Sequence, residues 1–211
     1  YYMTWQNGNA IKYYQEVLKI EKGFEDQALF YMAKSYGYSG KEDLKIEQLL
    51  KLVTTYQKST YLQQAIFELA ISYKAKTNFE NAMSYFNRII LDYPRSDLVV
   101  RARIEIADIH YKRWEYALSE SAYKEILQVY GDDREICATV VRGLVDIYAV
   151  LKQPEKASEL ANTYSCAEIS SEEQEGMYYA PAFEAYNDSA FSASIPLFEK
   201  YISNFPQGKY T

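Results

Sequence analysis

The chain has 211 residues with one histidine and two cysteines, so the side chains able to do nucleophilic, acid–base or metal chemistry can be weighed singly. His110 stands near Asp108 and Tyr111 in sequence. A general base, however, needs a nucleophile or an orienting carboxylate brought within hydrogen-bond reach by the fold, and adjacency along the chain does not supply that. One histidine and two cysteines are too few for a Cys/His zinc site. No Gly-rich phosphate loop, nucleophile elbow or metal-binding helix motif occurs. The expectation is therefore no enzyme activity, no catalytic residue, no cofactor and no metal. Glu172, Glu173 and Glu175 form the densest acidic run. They could face a cation, but at a helix start they oppose the positive end of the helix dipole, and that is the reading adopted.

The bulk composition narrows the partners. A net charge of −6 and a pI near 5.0 argue against nucleic acid, because phosphate recognition needs a positive field. Apolar runs are far shorter than the ~20 residues of a membrane-spanning helix. Neither a basic stretch followed by an apolar run nor a polybasic patch is seen. Position 1 falls just before a helix and position 211 as another begins, so the chain reads as a segment of a longer protein.

What must position any functional side chain is a helical repeat. Ala33, Ala70 and Ala107 recur every 37 residues, as do Ala28, Ala65 and Ala102, and Tyr56, Tyr93 and Tyr130. Such self-similarity marks stacked supersecondary units. Ala65, Leu69, Ala70 and Tyr73 form one stripe of a 3.6-residue helix, and Phe79, Ala82, Phe86, Ile89 and Ile90 form the apolar face of the next. Tyr93-Pro94-Arg95-Ser96 closes the unit, since proline cannot continue the helix and Ser96 can cap the one after it.

Leu69-Ala70, Tyr73, Phe79, Ala82, Phe86 and Pro94 resemble the tetratricopeptide (TPR) pattern of paired large and small residues. The 37-residue unit with its Tyr-Pro-x-Ser loop looks like the bacterial envelope versions, such as the Tol–Pal-associated coordinator and outer-membrane assembly lipoproteins. The fold implied is all-α, a right-handed superhelical α-solenoid of antiparallel helix pairs. About five repeats are expected, with partial units at both ends. As a single segment over 1–211, it has repeats near 24–59, 60–96, 97–133, 134–171 and 172–207, with 9–20 as the second helix of a preceding partial unit.

The register runs through all five units. The small residue falls at Ala33, Ala70, Ala107, Val145 and Ala182, and the large residue of the second helix at Leu49, Phe86, Tyr123, Ala161 and Phe198. One step of 38 places an extra loop residue near Gly131-Asp132. Thr60/Gln63, Thr77/Glu80, Asp132/Glu135 and Ser170/Glu173 have capping-box spacing. Pro154 and Pro196 are expected in first turns, where proline is tolerated, whereas Pro181 replaces a core leucine and predicts a kink or a late helix start. His110 aligns with Tyr36, Tyr73 and Tyr148 as a core-facing stand-in for an aromatic. Cys137 and Cys166 fall at the open end of one antiparallel hairpin. They are either two buried thiols or a disulfide, the latter if their Cα atoms lie within ~7 Å and the compartment is oxidising.

In TPR arrays the first helices line a concave groove that binds partners, so the resemblance implies which residues face it. One row is Phe30, Phe67, Ile104, Arg142 and Tyr179; the next is Lys34, Ile71, Asp108, Asp146 and Phe183; a third holds Lys74, Tyr111 and Tyr186. Phe30 and Phe67 are expected either as exposed apolar groups of the kind that mark contact sites or as rings packed against neighbouring repeats or the groove itself. The rows lack the Lys/Asn/Arg set with which some relatives clamp a terminal carboxylate. The function implied is a non-catalytic scaffold for a protein or peptide partner, periplasmic or outer-membrane-associated. The alternatives are a structural spacer or oligomerisation segment, stacking on further repeats or on itself, and an accessory domain of an enzyme.

Overall fold

The computed structural model describes residues 2–20 and 22–211, with side chains from residue 8 onward. The described residues form eleven α-helices and no strand: α1 (Tyr2–Ile20), α2 (Glu25–Tyr38), α3 (Glu42–Thr55), α4 (Leu62–Ala75), α5 (Phe79–Asp92), α6 (Leu98–Lys112), α7 (Tyr116–Tyr130), α8 (Arg134–Val150), α9 (Pro154–Thr163), α10 (Ser171–Asn187) and α11 (Phe191–Asn204). Two compact units divide the chain, one ending at Ile109 and the other beginning at His110, within α6.

The 37-residue period is visible in the backbone. Second helices start at Glu42, Phe79, Tyr116, Pro154 and Phe191, so the one 38-residue step falls between α7 and α9. α7 runs a residue past the register of α3 and α5 to end at Tyr130, which locates the slip next to Gly131. The turn inside every helix pair is also the same. Gly40, Thr77, Trp114, Lys152 and Ser189 all have positive φ, between 54° and 68°. In each turn the next residue's N–H reaches back to close the helix: Lys41 to the Tyr36 carbonyl (2.9 Å), Asn78 to Tyr73 (2.9 Å), Glu115 to His110 (2.9 Å), Gln153 to Tyr148 (2.8 Å) and Ala190 to Ala185 (2.9 Å). This 6→1 bond around a left-handed residue is the Schellman ending, which satisfies carbonyls the helix leaves orphaned.

In the first unit, α2 packs on α3 and α4 on α5, with α3 also against α4. Ala33, Ala65, Ala70 and Ala82 are fully buried, where a larger side chain would hold the helices apart, and Leu49, Leu52, Leu69, Phe86 and Ile89 fill the remaining space. In the second unit α7 packs on α8, α8 on α9 and α10 on α11. Val140, Val141, Leu144, Ile147 and Tyr201 are its buried centre. The fourth pair has the weakest second helix: α9 has ten residues, and Ala161 stands where the other pairs have Leu49, Phe86, Tyr123 and Phe198.

Several local expectations need correction. α1 begins at Tyr2, well before residue 9. Of the two outcomes expected at Pro181, the late start does not occur: α10 starts at Ser171 and continues through it. The ring takes the buried core position, and packing on α11 holds the helix although one backbone bond is lost. Pro196 lies inside α11, beyond the first turn. Ser170 caps α10 by accepting the Glu173 N–H at 3.1 Å. The cap of α8 is Asp133 rather than Asp132, and that of α5 is Asn78 rather than Thr77, because Thr77 is already committed to the left-handed turn. α4 starts without a side-chain cap.

Candidate functional site

His110 is half-buried at the end of α6. Its Nδ1 lies 2.6 Å from Glu115 Oε2 across the turn, and its carbonyl accepts the Glu115 N–H. The ring is thus held by the Schellman turn and a carboxylate, and it is less deeply placed than Tyr36 and Tyr148 at the same register. The sulfurs of Cys137 and Cys166 are bonded, with the Cα atoms 6.0 Å apart. The bond ties the start of α8 to the segment after α9, across the pair with the shortest second helix.

The acidic run at the start of α10 is fully engaged. Glu172 pairs with Lys209 at 2.8 Å, and Glu173 with Arg142. Arg142 also donates to the Glu168 carbonyl at 3.1 Å. Glu175 is buried and accepts the Tyr201 hydroxyl at 2.5 Å and the backbone N–H of Lys209. Tyr201 in turn accepts the Tyr210 N–H at 2.9 Å, and burial pushes its phenol above the ordinary range. A Cβ at Gly208 would collide with both the carboxylate and the hydroxyl. These carboxylates lock the segment after α11 onto α10, a role the sequence pattern did not disclose.

The predicted rows separate into a packed part and an open part. Phe30 and Phe67 are 5% and 3% exposed, so of the two readings the packed one holds. Tyr61, from the lead-in to α4, stacks on Phe30 at 5.0 Å, and Phe86 meets Phe67 edge-on at 5.5 Å. Lys34 lies over the Phe30 ring (5.9 Å) and Arg101 over the Phe67 ring (4.9 Å). Both rings are covered by side chains of their own pair and of the next unit, Tyr61 over Phe30 and Arg101 over Phe67, so they belong to the packed interior. Ile71 and Ile104 are half-buried beside them. Lys34 also lines a polar cleft of about 280 Å³ with Gly37, Tyr38, Glu42, Lys45 and Glu68.

Lys74 is clasped by Glu105 and Asp108 of α6. Burial disfavours its charge, but the hydrogen bonds to the two carboxylates outweigh that and raise the ammonium above its usual value. In this stretch of the first unit the charges of the row answer one another.

In the second unit Tyr111 meets Tyr116 edge-on at 5.6 Å. Arg142 is taken by Glu173, but Asp146, one turn further along α8, is exposed and makes no hydrogen bond or ion pair among the described residues. Although the residue as a whole is exposed, partial desolvation of the carboxyl by its surroundings, with Glu173 adding repulsion, raises it above the ordinary value, against the pull of Arg142. On α10, Tyr179 stacks on Tyr210 (4.0 Å) and on Phe183 (5.5 Å). Phe183 is 44% and Tyr186 52% exposed, and Tyr186 meets Phe191 edge-on at 5.6 Å. Of all the predicted positions, this is where large apolar groups remain open to solvent.

Among known proteins, the tetratricopeptide-repeat family model matches residues 64–96, which take in most of α4, all of α5 and the loop that closes the pair. No protein with a curated description matches the sequence. Several solved structures match the fold. PilW, described as a widely conserved type IV pilus biogenesis factor, is 15% identical with a TM-score of 0.56, over 96% of this chain and 95% of its own. A tetratricopeptide repeat protein from Parabacteroides merdae is 17% identical with a TM-score of 0.59, over 94% and 72%. MamA is 17% identical with a TM-score of 0.57, over 71% and 81%. At these identities the likeness is one of fold: tandem helix pairs of the TPR kind, a class that generally serves protein–protein interaction.

Proposed function

We propose that the chain is a non-catalytic scaffold that takes a peptide or helix of a partner protein on the faces of its first helices, within a bacterial cell envelope. The observation that carries this reading is the open aromatic surface of α10. Phe183 and Tyr186 keep about half their surface in water at register positions held in other units by Lys34, Ile71, Asp108 and Asp146 and by Lys74 and Tyr111. Contiguous exposed apolar area of this kind is characteristic of contact sites. The compartment is supported by the Cys137–Cys166 bond, since structural disulfides persist in the periplasm and outside cells and are rare in the cytosol.

A photo-cross-linking residue tests the site when placed in turn at Tyr186, at Leu118 on α7 and at Ile202 on α11, in the native cell. The scaffold reading expects a discrete adduct from position 186 and none from 118. No adduct at 186 would sink it.

A second reading, a spacer whose repeats stack onward, has its own support on α11. Ile195 and Ile202 are 57% and 48% exposed, whereas Ile46 and Val53, at the same register of α3, are 9% and 2% exposed. Residues 205–211 also repeat the turn that leads into α4. Gly208 N–H to the Phe205 carbonyl (3.0 Å) and Thr211 N–H to Gly208 (3.3 Å) mirror Ser59 to Tyr56 (3.0 Å) and Leu62 to Ser59 (3.2 Å). Tyr210 stacks on Tyr179 as Tyr61 stacks on Phe30. An adduct from position 202 alone would favour this reading over the first.

A further inference from the structure

The net negative charge of the chain lies entirely in its second unit. Residues 110–211 hold nine Lys and Arg against sixteen Asp and Glu, a net −7, while residues 1–109 hold fourteen against thirteen, a net +1. α10 is the extreme case: it carries Glu172, Glu173, Glu175 and Glu184 and no Lys or Arg. The cations that reach it are each spoken for, Arg142 by Glu173, Lys152 by Glu184 (2.6 Å) and Lys209 by Glu172. The Asp146 carboxylate lies on α8 in the same row as Phe183 and has no partner among the described residues.

The chain's own packing shows what its rings accept. Lys34 lies over Phe30, Arg101 over Phe67, Lys156 over Tyr148 (5.3 Å) and Lys209 over Tyr210 (5.6 Å). A cation above a ring is favoured by the ring's negative face, more so when partly desolvated. Among the described residues, no such cation covers Phe183, Tyr186 or Phe191, which are 44%, 52% and 53% exposed. Open aromatic groups, an unanswered carboxylate in the same row one unit earlier on α8 and a surplus of negative charge are complementary to one chemistry.

Resting on the scaffold reading, we propose that the α8–α10 face binds a basic, partly apolar segment of a partner protein, its Lys or Arg side chains seated on Phe183 and Tyr186 and neutralised by Asp146. The apolar side chains of that segment cover the ring edges and the Tyr186–Phe191 pair. Salt weakens such a contact by screening the long-range part, while the ring contacts persist.

The test is fluorescence anisotropy of the whole chain with a labelled peptide of repeating Lys-Leu-Ala-Ala, beside twins carrying Glu or Gln in place of Lys. The Lys peptide is expected to bind at least about tenfold more tightly than either twin at low salt, with the margin shrinking at high salt. Phe183→Ala with Tyr186→Ala is expected to weaken it about tenfold, and Asp146→Asn about threefold. Tyr186→Lys, which sets a like charge on the face, abolishes binding. Circular dichroism shows whether each variant keeps its helices; these side chains are exposed, so their removal leaves the core intact. Equal affinity for the Gln twin, with the same sensitivity to the ring variants, overturns the cation preference and leaves the scaffold standing. Binding that ignores the ring variants overturns the site. No binding of any peptide overturns the proposal, and if position 186 also yields no cross-link the scaffold reading falls with it.

Discussion

Replacing Thr77, Trp114, Lys152 and Ser189 by glycine is expected to stabilise the protein. All four are held at positive φ, in the turn where the first helix pair has Gly40. A side chain in the left-handed region costs about 1–2 kcal/mol from the clash of Cβ with the backbone. Glycine removes that clash but adds freedom to the unfolded chain, worth about 0.4–1 kcal/mol in the other direction. The net gain is then about 0.5–1 kcal/mol per turn. It should be largest at Thr77, whose branched side chain tolerates this region least. It should be smallest at Lys152, which also gives up an exposed ion pair to Glu184. Trp114 is 78% exposed, so its removal forfeits little packing. The turns are a repeat apart and share no side-chain partner, so the gains should add to about 2–4 kcal/mol. Urea titration followed by circular dichroism measures this, with a higher midpoint at unchanged slope as the signature. Gly40→Ala is the mirror control and should cost about 1 kcal/mol. A Thr77→Gly variant no more stable than the parent, or a Gly40→Ala variant without loss, would refute the strain account.

Reducing Cys137–Cys166, or changing both to Ala, frees a loop of 29 residues. Chain entropy puts the loss at about 3.6 kcal/mol, or a fall in melting temperature of about 7–14 °C, readable by calorimetry with and without reductant. Phe67→Ala opens a cavity under Arg101 and beside Phe86 and should cost about 3–5 kcal/mol; loss of partner capture by that variant would therefore report unfolding, not a contact. Lys74→Met leaves Glu105 and Asp108 facing each other and should lower stability by about 1–3 kcal/mol in urea titration. Asp146 has a raised carboxyl pKa in the fold, so its stability contribution is greatest below the ordinary aspartate value of 3.8 and declines as pH rises through the raised one. Asp146→Asn should accordingly raise the urea midpoint at pH 7 and leave it unchanged at pH 3.

The period, the small buried alanines and the slip beside Gly131 were legible because each is a steric demand made at one register in every unit. The shared left-handed turn was not, although it has the same period. Gly40 is the only residue there whose type announces the conformation, and Thr, Trp, Lys and Ser are carried into it by the helices on either side. Register also placed Phe30 and Phe67 on the first-helix face, but it could not say that a ring thirty-one residues onward would lean across Phe30, or that Arg101 would cover Phe67. Exposure at such a row depends on the neighbour's side chain as much as on the residue itself. Phe30 closed under Tyr61 as Tyr179 did under Tyr210, while Phe183, one row over, stays 44% exposed. Register brought the two cysteines to one hairpin end but left thiols and a disulfide both open; the 6.0 Å Cα separation decides for the bond.

The Cys137–Cys166 bond also sets how the chain would respond to a pulling force. The 29 residues it closes would otherwise pay out to about 100 Å when drawn straight, yet the bonded Cα atoms stay 6.0 Å apart. Load applied at the two ends bypasses α9 altogether, running through the sulfurs while the other helix pairs lengthen. An oxidised chain thus keeps residues 137–166 from paying out under load, and reduction would add that length of slack.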